Sequence, residues 1–177
     1  IESIKLGDRL ADAVILIEPA DGPDGVSGAE LLRVVHPGGK IITGKSVEVV
    51  SEPVGTGQWS HPYHGPDNNP QGDDLIARAP YLTQFLAAPY YGPMPQVTVA
   101  AGGRVFKVFG HIAFKRREWP LVGKLICLNG YNGVPLWERE LTPGFMIHRN
   151  TLIATSETLY LADNESCKLI DAATGEI

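Results

Sequence analysis

The sequence predicts a mainly β protein of short antiparallel strands, preceded by a small α/β fragment. A short pattern that occurs twice near the C-terminus indicates a repeated structural unit. The 177 residues include 20 Gly and 14 Pro, a turn-rich composition that is typical of many short strands joined by tight turns. Since 44% of the residues are hydrophobic and 20% are charged, the chain can bury a core and is not a disordered segment.

The repeated pattern sets the period of the predicted unit. In each copy an Asn or Asp precedes a Gly by four residues, as Asn129 precedes Gly133 and Asp171 precedes Gly175. The first copy is followed by Trp137. Asn129 and Asp171 are 42 residues apart, within the range of about 40–45 residues for a β-propeller blade. The pattern therefore predicts a partial β-propeller of about two four-stranded blades in residues 97–177.

The charge of the chain excludes some functions. A net charge of -5 and a pI near 5.5 argue against nucleic-acid binding, which usually requires a basic face. The basic run Lys115–Arg117 is followed by Glu118, which favours a solvated loop over an anion site. No apolar run approaches the roughly 18 residues that span a bilayer, and no signal peptide is visible. Because the sequence begins at Ile1 and ends within a repeat, we expect a fragment of a longer protein.

Residues 1–50 predict an α/β element. The apolar run 13–17 is typical of a strand buried on both faces. Ser27 and Glu30 predict a capping box at the start of a helix that ends at His36, before a Pro-Gly-Gly turn at 37–39 and a strand at 40–43. The predicted buried residues of this helix are Leu31, Leu32, Val34 and Val35.

Residues 30–40 resemble the late segment of class I S-adenosylmethionine-dependent methyltransferases, in which a helix ending in L-x-P-G-G leads into a strand. The glycine-rich loop and the ribose-binding acid of that family lie upstream and are not present. The resemblance therefore implies S-adenosylmethionine binding only in a longer protein. Two interpretations of Glu18-Pro19 are open: a position near the methyl donor, or a plain turn at the end of a strand.

Residues 51–96 predict an irregular segment, because closely spaced prolines and aromatic residues exclude long helices and central strands. His61, His64 and Asp67 are weak candidates for a metal site, since imidazole and carboxylate groups suit zinc. The alternative, favoured by the intervening prolines, is that these side chains cap turns. The stretch that begins at Trp59 resembles the strand that leads into quinoprotein-type propellers.

Residues 97–177 predict seven strands. A Gly102-Gly103 turn joins the first two, and the ranges are 97–101, 104–109, 124–128, 135–139, 151–154, 158–162 and 167–171. Cys127 and Cys167 are expected to be small buried core residues, with a disulfide between them as the less favoured alternative. The charged run 138–140 is expected to face solvent.

The two turns resemble the A-x-D-x-x-T-G-x-x-x-W repeat of pyrroloquinoline-quinone (PQQ)-type propellers, also described as quinoprotein alcohol dehydrogenase-like. The matching residues form the structural repeat Asn129, Gly133, Trp137, Asp171, Thr174 and Gly175. In such a repeat the Trp wedges between adjacent blades and donates its N–H to a neighbouring carbonyl. The whole chain resembles a planctomycete-type fusion of a methyltransferase-like unit (1–50), a Pro- and aromatic-rich connecting segment (51–96) and propeller blades (97–177).

The resemblance implies a binding or assembly scaffold that takes a protein or small-molecule ligand on the propeller face. In this interpretation the chain carries no catalytic residues, and its cofactor-binding residues are unknown. Two alternatives stay open: a dehydrogenase with PQQ and calcium, and a methyltransferase that acts through the N-terminal unit. Either cofactor would require residues of the full-length protein. The propeller resemblance favours a periplasmic or other extracytoplasmic location.

Overall fold

A computed structural model describes residues 3–17, 25–77, 79 and 83–177, and it divides the chain into two units, Ile1–Thr56 and Gly57–Ile177. The first unit contains a three-stranded sheet and one helix, and the second contains sheets of four and three strands. The prediction of a mainly β protein is confirmed.

The first unit has the predicted order of strand, helix and strand. Strand β1 (Ala11–Leu16) leads to helix α1 (Gly28–Val34) and strand β2 (Val35–Thr43), and β1 pairs with β2 in parallel. A further strand, β3 (Ser46–Val49), pairs antiparallel with the other side of β2. Strand β3 was not expected from the sequence, although Gly44, with φ of +52°, makes a tight turn before it.

The predicted Pro-Gly-Gly turn is wrong, because these residues form an irregularity inside β2. Ala11 pairs with Val35 and Ala13 pairs with Lys40, so five steps along β2 lie opposite two steps along β1. Gly38, with φ of +81°, donates its N–H to Val50 at 2.7 Å. The helix therefore ends at Val34 rather than His36, because the chain becomes extended before it reaches the proline.

The predicted capping box is half formed. Ser27 Oγ accepts the N–H of Glu30 at 3.2 Å, as predicted. The Glu30 carboxylate does not return to Ser27; it accepts hydrogen bonds from the Arg33 guanidinium and from the N–H of Ile4. These two interactions lower the pKa of Glu30 to about 2. Arg33 also binds Asp8 at 2.6 Å, so the cluster ties the segment before β1 to the helix.

Burial in this unit follows one face only. Leu31, Val34 and Val35 are buried as predicted, with Ile41 and Val50 in the same cluster. Leu32, by contrast, is exposed, and Ile15 of β1 is 65% exposed. The prediction of a strand buried on both faces is therefore wrong, because α1 covers only the face of the sheet that carries the buried cluster.

The second unit begins with a four-stranded antiparallel meander. Its strands, in spatial and chain order, are β4 (Met94–Ala101), β5 (Arg104–Ile112), β6 (Lys124–Asn129) and β7 (Pro135–Glu140). The predicted hairpin at Gly102-Gly103 is confirmed, and both glycines have positive φ, +56° and +71°. A 3₁₀ turn at Arg116–Leu121 lies between β5 and β6.

The second sheet is a shorter antiparallel meander. It contains β8 (Leu152–Ala154), β9 (Thr158–Ala162) and β10 (Cys167–Asp171), and a 3₁₀ turn at Arg149–Thr151 precedes it. All seven predicted strands are present, with boundaries that differ by at most three residues.

The main core lies between these two sheets. Alternate residues of the four-stranded sheet face alternate residues of the three-stranded sheet, as a period of two requires. Val99, Phe106, Val108, Leu125 and Cys127 pack with Leu152, Leu159, Leu161 and Ile170, and each is almost fully buried. Their contacts hold the sheets face to face.

The other face of the four-stranded sheet is covered differently. Phe109, Ile126 and Leu128 are buried there, and Ala87 and Leu121 pack against them. Coverage on this face therefore includes residues from the irregular segment before β4.

The irregular segment joins the edges of the two sheets. The backbones of Trp59 and Ala100 exchange two hydrogen bonds, of 2.9 and 2.7 Å. The carbonyl of the next residue, Ser60, accepts the N–H of Ala154 in β8 at 2.9 Å. Residues 59–60 thus link β4 to β8 at the edge where the two sheets approach each other.

The two cysteines are free and differ in burial. Cys127 is buried as predicted, whereas Cys167 is exposed, so the prediction for Cys167 is wrong. Burial raises the pKa of the Cys127 thiol to about 12. The reactive thiolate form of Cys127 is therefore strongly suppressed at neutral pH.

We expect Cys167, and not Cys127, to react with a disulfide reagent such as 5,5′-dithiobis(2-nitrobenzoate) in the folded chain at pH 8. Denaturant should expose the Cys127 thiol to the reagent. In Cys167→Ser the rapid reaction should disappear, whereas Cys127→Ser should keep it. Equal rates for both thiols in the folded protein would contradict the burial of Cys127.

Candidate functional site

An indole side chain is one of the links between the two sheets. Trp137 lies on β7, opposite Cys127 of β6, and its N–H donates to the carbonyl of Ala172 at 3.1 Å. Its ring contacts Phe106 with centroids 5.9 Å apart, and it also lies against Gly175. A β-carbon on Gly175 would come within 2.7 Å of the indole Cδ2. Only glycine allows this approach without displacement of the ring.

The charged run on β7 takes part in the same junction. Arg139 donates to the carbonyl of Gly175, so the prediction that residues 138–140 face solvent is wrong for Arg139. Glu138 is exposed and binds Lys124 at 2.7 Å. Trp137 and Arg139 therefore fasten the turn after β10 to β7 with a ring contact and two hydrogen bonds.

The two repeated turns have the same local geometry. Asn129 Oδ1 accepts the N–H of Tyr131, and Asp171 Oδ1 accepts the N–H groups of Ala173 and Thr174, all at 2.8–2.9 Å. The hydrogen bonds that Asp171 accepts, first that from the Thr174 backbone, lower the pKa of its carboxyl.

Each turn closes on a glycine. The N–H of Gly133 donates to the carbonyl of Asn129 at 2.8 Å, and Gly175 makes the same bond to Asp171 at the same distance. Both glycines have positive φ, +73° and +78°. Five of the six residues of the structural repeat thus lie in two equivalent turns, and the sixth, Trp137, lies between the sheets.

What covers each glycine differs between the turns. The indole of Trp137 lies on Gly175, whereas Phe85 and Ala87 lie on Gly133. A β-carbon at Gly133 would meet both side chains at 2.7 Å. Phe85 could not be identified from the sequence, because a phenylalanine in a proline-rich segment carries no signal for its partner.

The loops gather at one end of the two sheets, which we call the loop end. It is the end at which β5, β7 and β9 finish, and it carries the connections 113–123, 141–151 and 163–166. The opposite end carries the tight turns at 102–103 and 130–134. Antiparallel meanders require this alternation, so the longer loops of both sheets lie together.

A cleft of about 590 Å³ lies at the loop end. Leu141, Phe145 and Met146 supply apolar lining, and His111 and Glu140 supply polar groups. Its volume is in the range of small-molecule sites, about 300–1,000 Å³.

A polar network fixes one wall of the cleft. Thr142, which lines the cleft, donates to Asp163 Oδ2, and Lys168 binds both Thr142 and Asp163. The side chain of Asp163 is only 1% exposed. Its other oxygen accepts the N–H groups of Glu165 and Ser166, each at 2.9 Å. Lys168 first, then Thr142, hold the pKa of Asp163 well below its usual range.

The three weak metal candidates make separate interactions. His61 Nδ1 lies 2.8 Å from Ser60 Oγ, His64 Nε2 lies 3.2 Å from Asp73, and Asp67 accepts the N–H of Asn69. Within residues 3–17, 25–77, 79 and 83–177, no group of three or more His, Cys, Asp or Glu side chains could hold a metal ion. Glu18-Pro19, weighed as a position near a methyl donor, lies outside the described residues.

No family model matches the chain, and no curated protein or solved structure is significantly similar to it. Among the helices that the structure describes, none is long and apolar enough to cross a membrane.

We expect Gly175→Ala to destabilise the second unit by about 3 kcal/mol. About 1–2 kcal/mol comes from a left-handed backbone with a β-carbon, and a similar amount from displacement of the indole. Gly144→Ala is the matched control, since Gly144 has φ of +77° and its β-carbon would meet no heavy atom of the described residues within 4 Å. Urea unfolding followed by tryptophan fluorescence reports on this unit alone, since Trp59, Trp119 and Trp137 all lie in it.

Trp137→Ala should itself cost about 3 kcal/mol, because it removes a large packed ring and leaves a cavity. In that background Gly175→Ala should cost no more than Gly144→Ala. An additive double variant would mean that the glycine and the indole do not interact.

We expect Asp163→Asn to lower the melting temperature at pH 7 by several degrees. Because the pKa of Asp163 is lowered in the folded state, its contribution is complete above the ordinary carboxyl pKa of about 4. That contribution is lost as the pH falls below this value, so the melting curves of parent and variant should converge in acid. Glu165→Gln, on the same loop, is the control and should change stability little. A constant difference between parent and Asp163→Asn down to pH 2 would contradict this.

Proposed function

We propose that residues 57–177 belong to a β-propeller of the PQQ type and act as a non-catalytic scaffold that binds a ligand in the loop-end cleft. The observation that carries the proposal is the Trp137 junction, in which the last strand of one sheet meets the turn of the next. Supporting it, the hydrogen bond from this indole to the carbonyl of Ala172 matches the one that the resemblance implies between adjacent blades. The two turns also repeat with a period of 42 residues.

The lining of the cleft supports a binding role. Its walls are mainly apolar. His111 and Glu140 also line it, and the mostly exposed Glu140 carboxylate lies 3.9 Å from Lys124 Nζ. Of the polar side chains near it, Thr142 and Asp163 are engaged in the structural network with Lys168. This combination favours a compact aromatic or aliphatic group that carries a cationic head, either as a small molecule or as a side chain of a partner protein.

The chain contains two methionines, and this permits a direct test of the cleft. Met146 lines it and Met94 does not. With ¹³C-methyl methionine, titration with phenethylammonium should shift the Met146 methyl resonance and leave that of Met94 in place. Phenylacetate, which has the same ring and the opposite charge, should bind more weakly.

Glu140→Gln should weaken phenethylammonium binding about threefold or more, because it removes the carboxylate beside the cleft. Glu157→Gln, in the turn between β8 and β9 at the opposite end of the sheets, is the matched control and should bind as the parent does. If Met146 does not respond, or if Glu140→Gln binds unchanged, the cleft is not the site. Reduction of a dye by the chain with PQQ, calcium and an alcohol would overturn the non-catalytic part of the proposal.

A further inference from the structure

An exposed patch of aromatic and basic side chains lies on the second unit. Its apolar members are Tyr91, Ile112, Phe114 and Trp119, and its basic members are Lys115, Arg116 and Arg117; together we call them the aromatic-basic patch. Phe114 is 73% exposed, Trp119 is 64% exposed and Tyr91 is 53% exposed. Side chains this large are seldom left so exposed in a group unless the surface has a partner.

Internal contacts hold the patch in place. The carboxylate of Glu118 is turned inward and accepts the N–H groups of Phe114 and Lys115, at 2.7 and 3.1 Å. The guanidinium of Arg117 lies over the ring of Tyr91 at 3.5 Å from its centroid. The backbone at Phe114 and Lys115 is therefore fixed to the 3₁₀ turn that carries Trp119, and Tyr91 is held against that turn by Arg117.

The patch is locally cationic in an acidic chain. Lys115, Arg116 and Arg117 are consecutive, and all three are exposed. The one acid between residues 113 and 123 is Glu118, which is buried. A surface that is anionic and can also receive apolar groups would satisfy both parts of the patch.

We propose that the aromatic-basic patch docks on an anionic phospholipid surface. Trp119 and Phe114 enter the interfacial region, where amphipathic rings are favoured, and the three bases pair with lipid phosphates. A single-stranded nucleic acid would also pair with the three bases, but the aliphatic Ile112 gives no face on which a base could stack, which favours lipid. An acidic peptide would account for the bases but would leave the protruding Trp119 and Phe114 without a place to insert.

The test is co-sedimentation of the full chain with vesicles. Vesicles with equal parts of phosphatidylcholine and phosphatidylglycerol should bind the chain, phosphatidylcholine alone should bind it poorly, and about 0.5 M salt should weaken binding because it screens the charges. Lys115→Gln with Arg116→Gln should reduce binding about tenfold or more. Arg117 is kept, so that its contact with Tyr91 remains.

The matched control is Lys5→Gln with Lys45→Gln, which makes the same change of charge in the Ile1–Thr56 unit. It should bind as the parent does. Equal loss of binding in both double variants, or equal binding to neutral and anionic vesicles, would overturn the proposal.

Insertion has its own measurement. Tryptophan emission should shift to the blue on anionic vesicles, and brominated lipid should quench it. Trp119→Phe should abolish both effects, since Trp59 and Trp137 are already partly buried. No quenching in the parent, or tighter binding to a single-stranded oligonucleotide or to polyglutamate than to vesicles, would show that another partner occupies the patch.

Discussion

The contact between Trp137 and Gly175 is the constraint on which the second unit depends. Two sheets that meet only through aliphatic side chains could slide past each other, because such packing has no direction. The indole, together with the backbone hydrogen bonds of residues 59–60, removes this freedom. Its N–H is satisfied by one particular carbonyl, that of Ala172, and its ring fits against a residue with no β-carbon. Positions of the core residues, and of the loops beyond them, follow from this alignment.

Much of the second unit could be predicted from sequence because its rules are local. Gly102-Gly103 and the Asx-to-Gly turns need only residues close in the chain, and alternation defines the strands. The failures depend on distant partners. Pro37-Gly38-Gly39 has turn composition, but Val50 supplies the hydrogen bonds that keep it in β2. Ile15 lies in an apolar run and Cys167 begins a predicted strand, yet both side chains are exposed. For the site, His111, Glu140 and Met146 lie on separate segments, so only the fold shows that they share a cleft.

The two ends of the sheets differ in how their polar groups are used. At the end with tight turns, the side chains of Asn129 and Asp171 accept hydrogen bonds from the backbone of their own turns. At the loop end, two buried acids, Asp163 and Glu118, each organise a longer connection through backbone N–H groups. Because buried carboxylates hold these loops, their outer surfaces are available to form the cleft and the aromatic-basic patch. Stability and surface chemistry are thus carried by different residues of the same loops.

Phe85 distinguishes the first repeated turn from the second. It lies on Gly133 in the way that Trp137 lies on Gly175, but it comes from the chain's own connecting segment rather than from a β-strand. A preceding sheet could reach that glycine only by pushing Phe85 and Ala87 aside. The turn at Gly133 is therefore covered by the chain's own connecting segment, whereas the turn at Gly175 is covered by the neighbouring sheet.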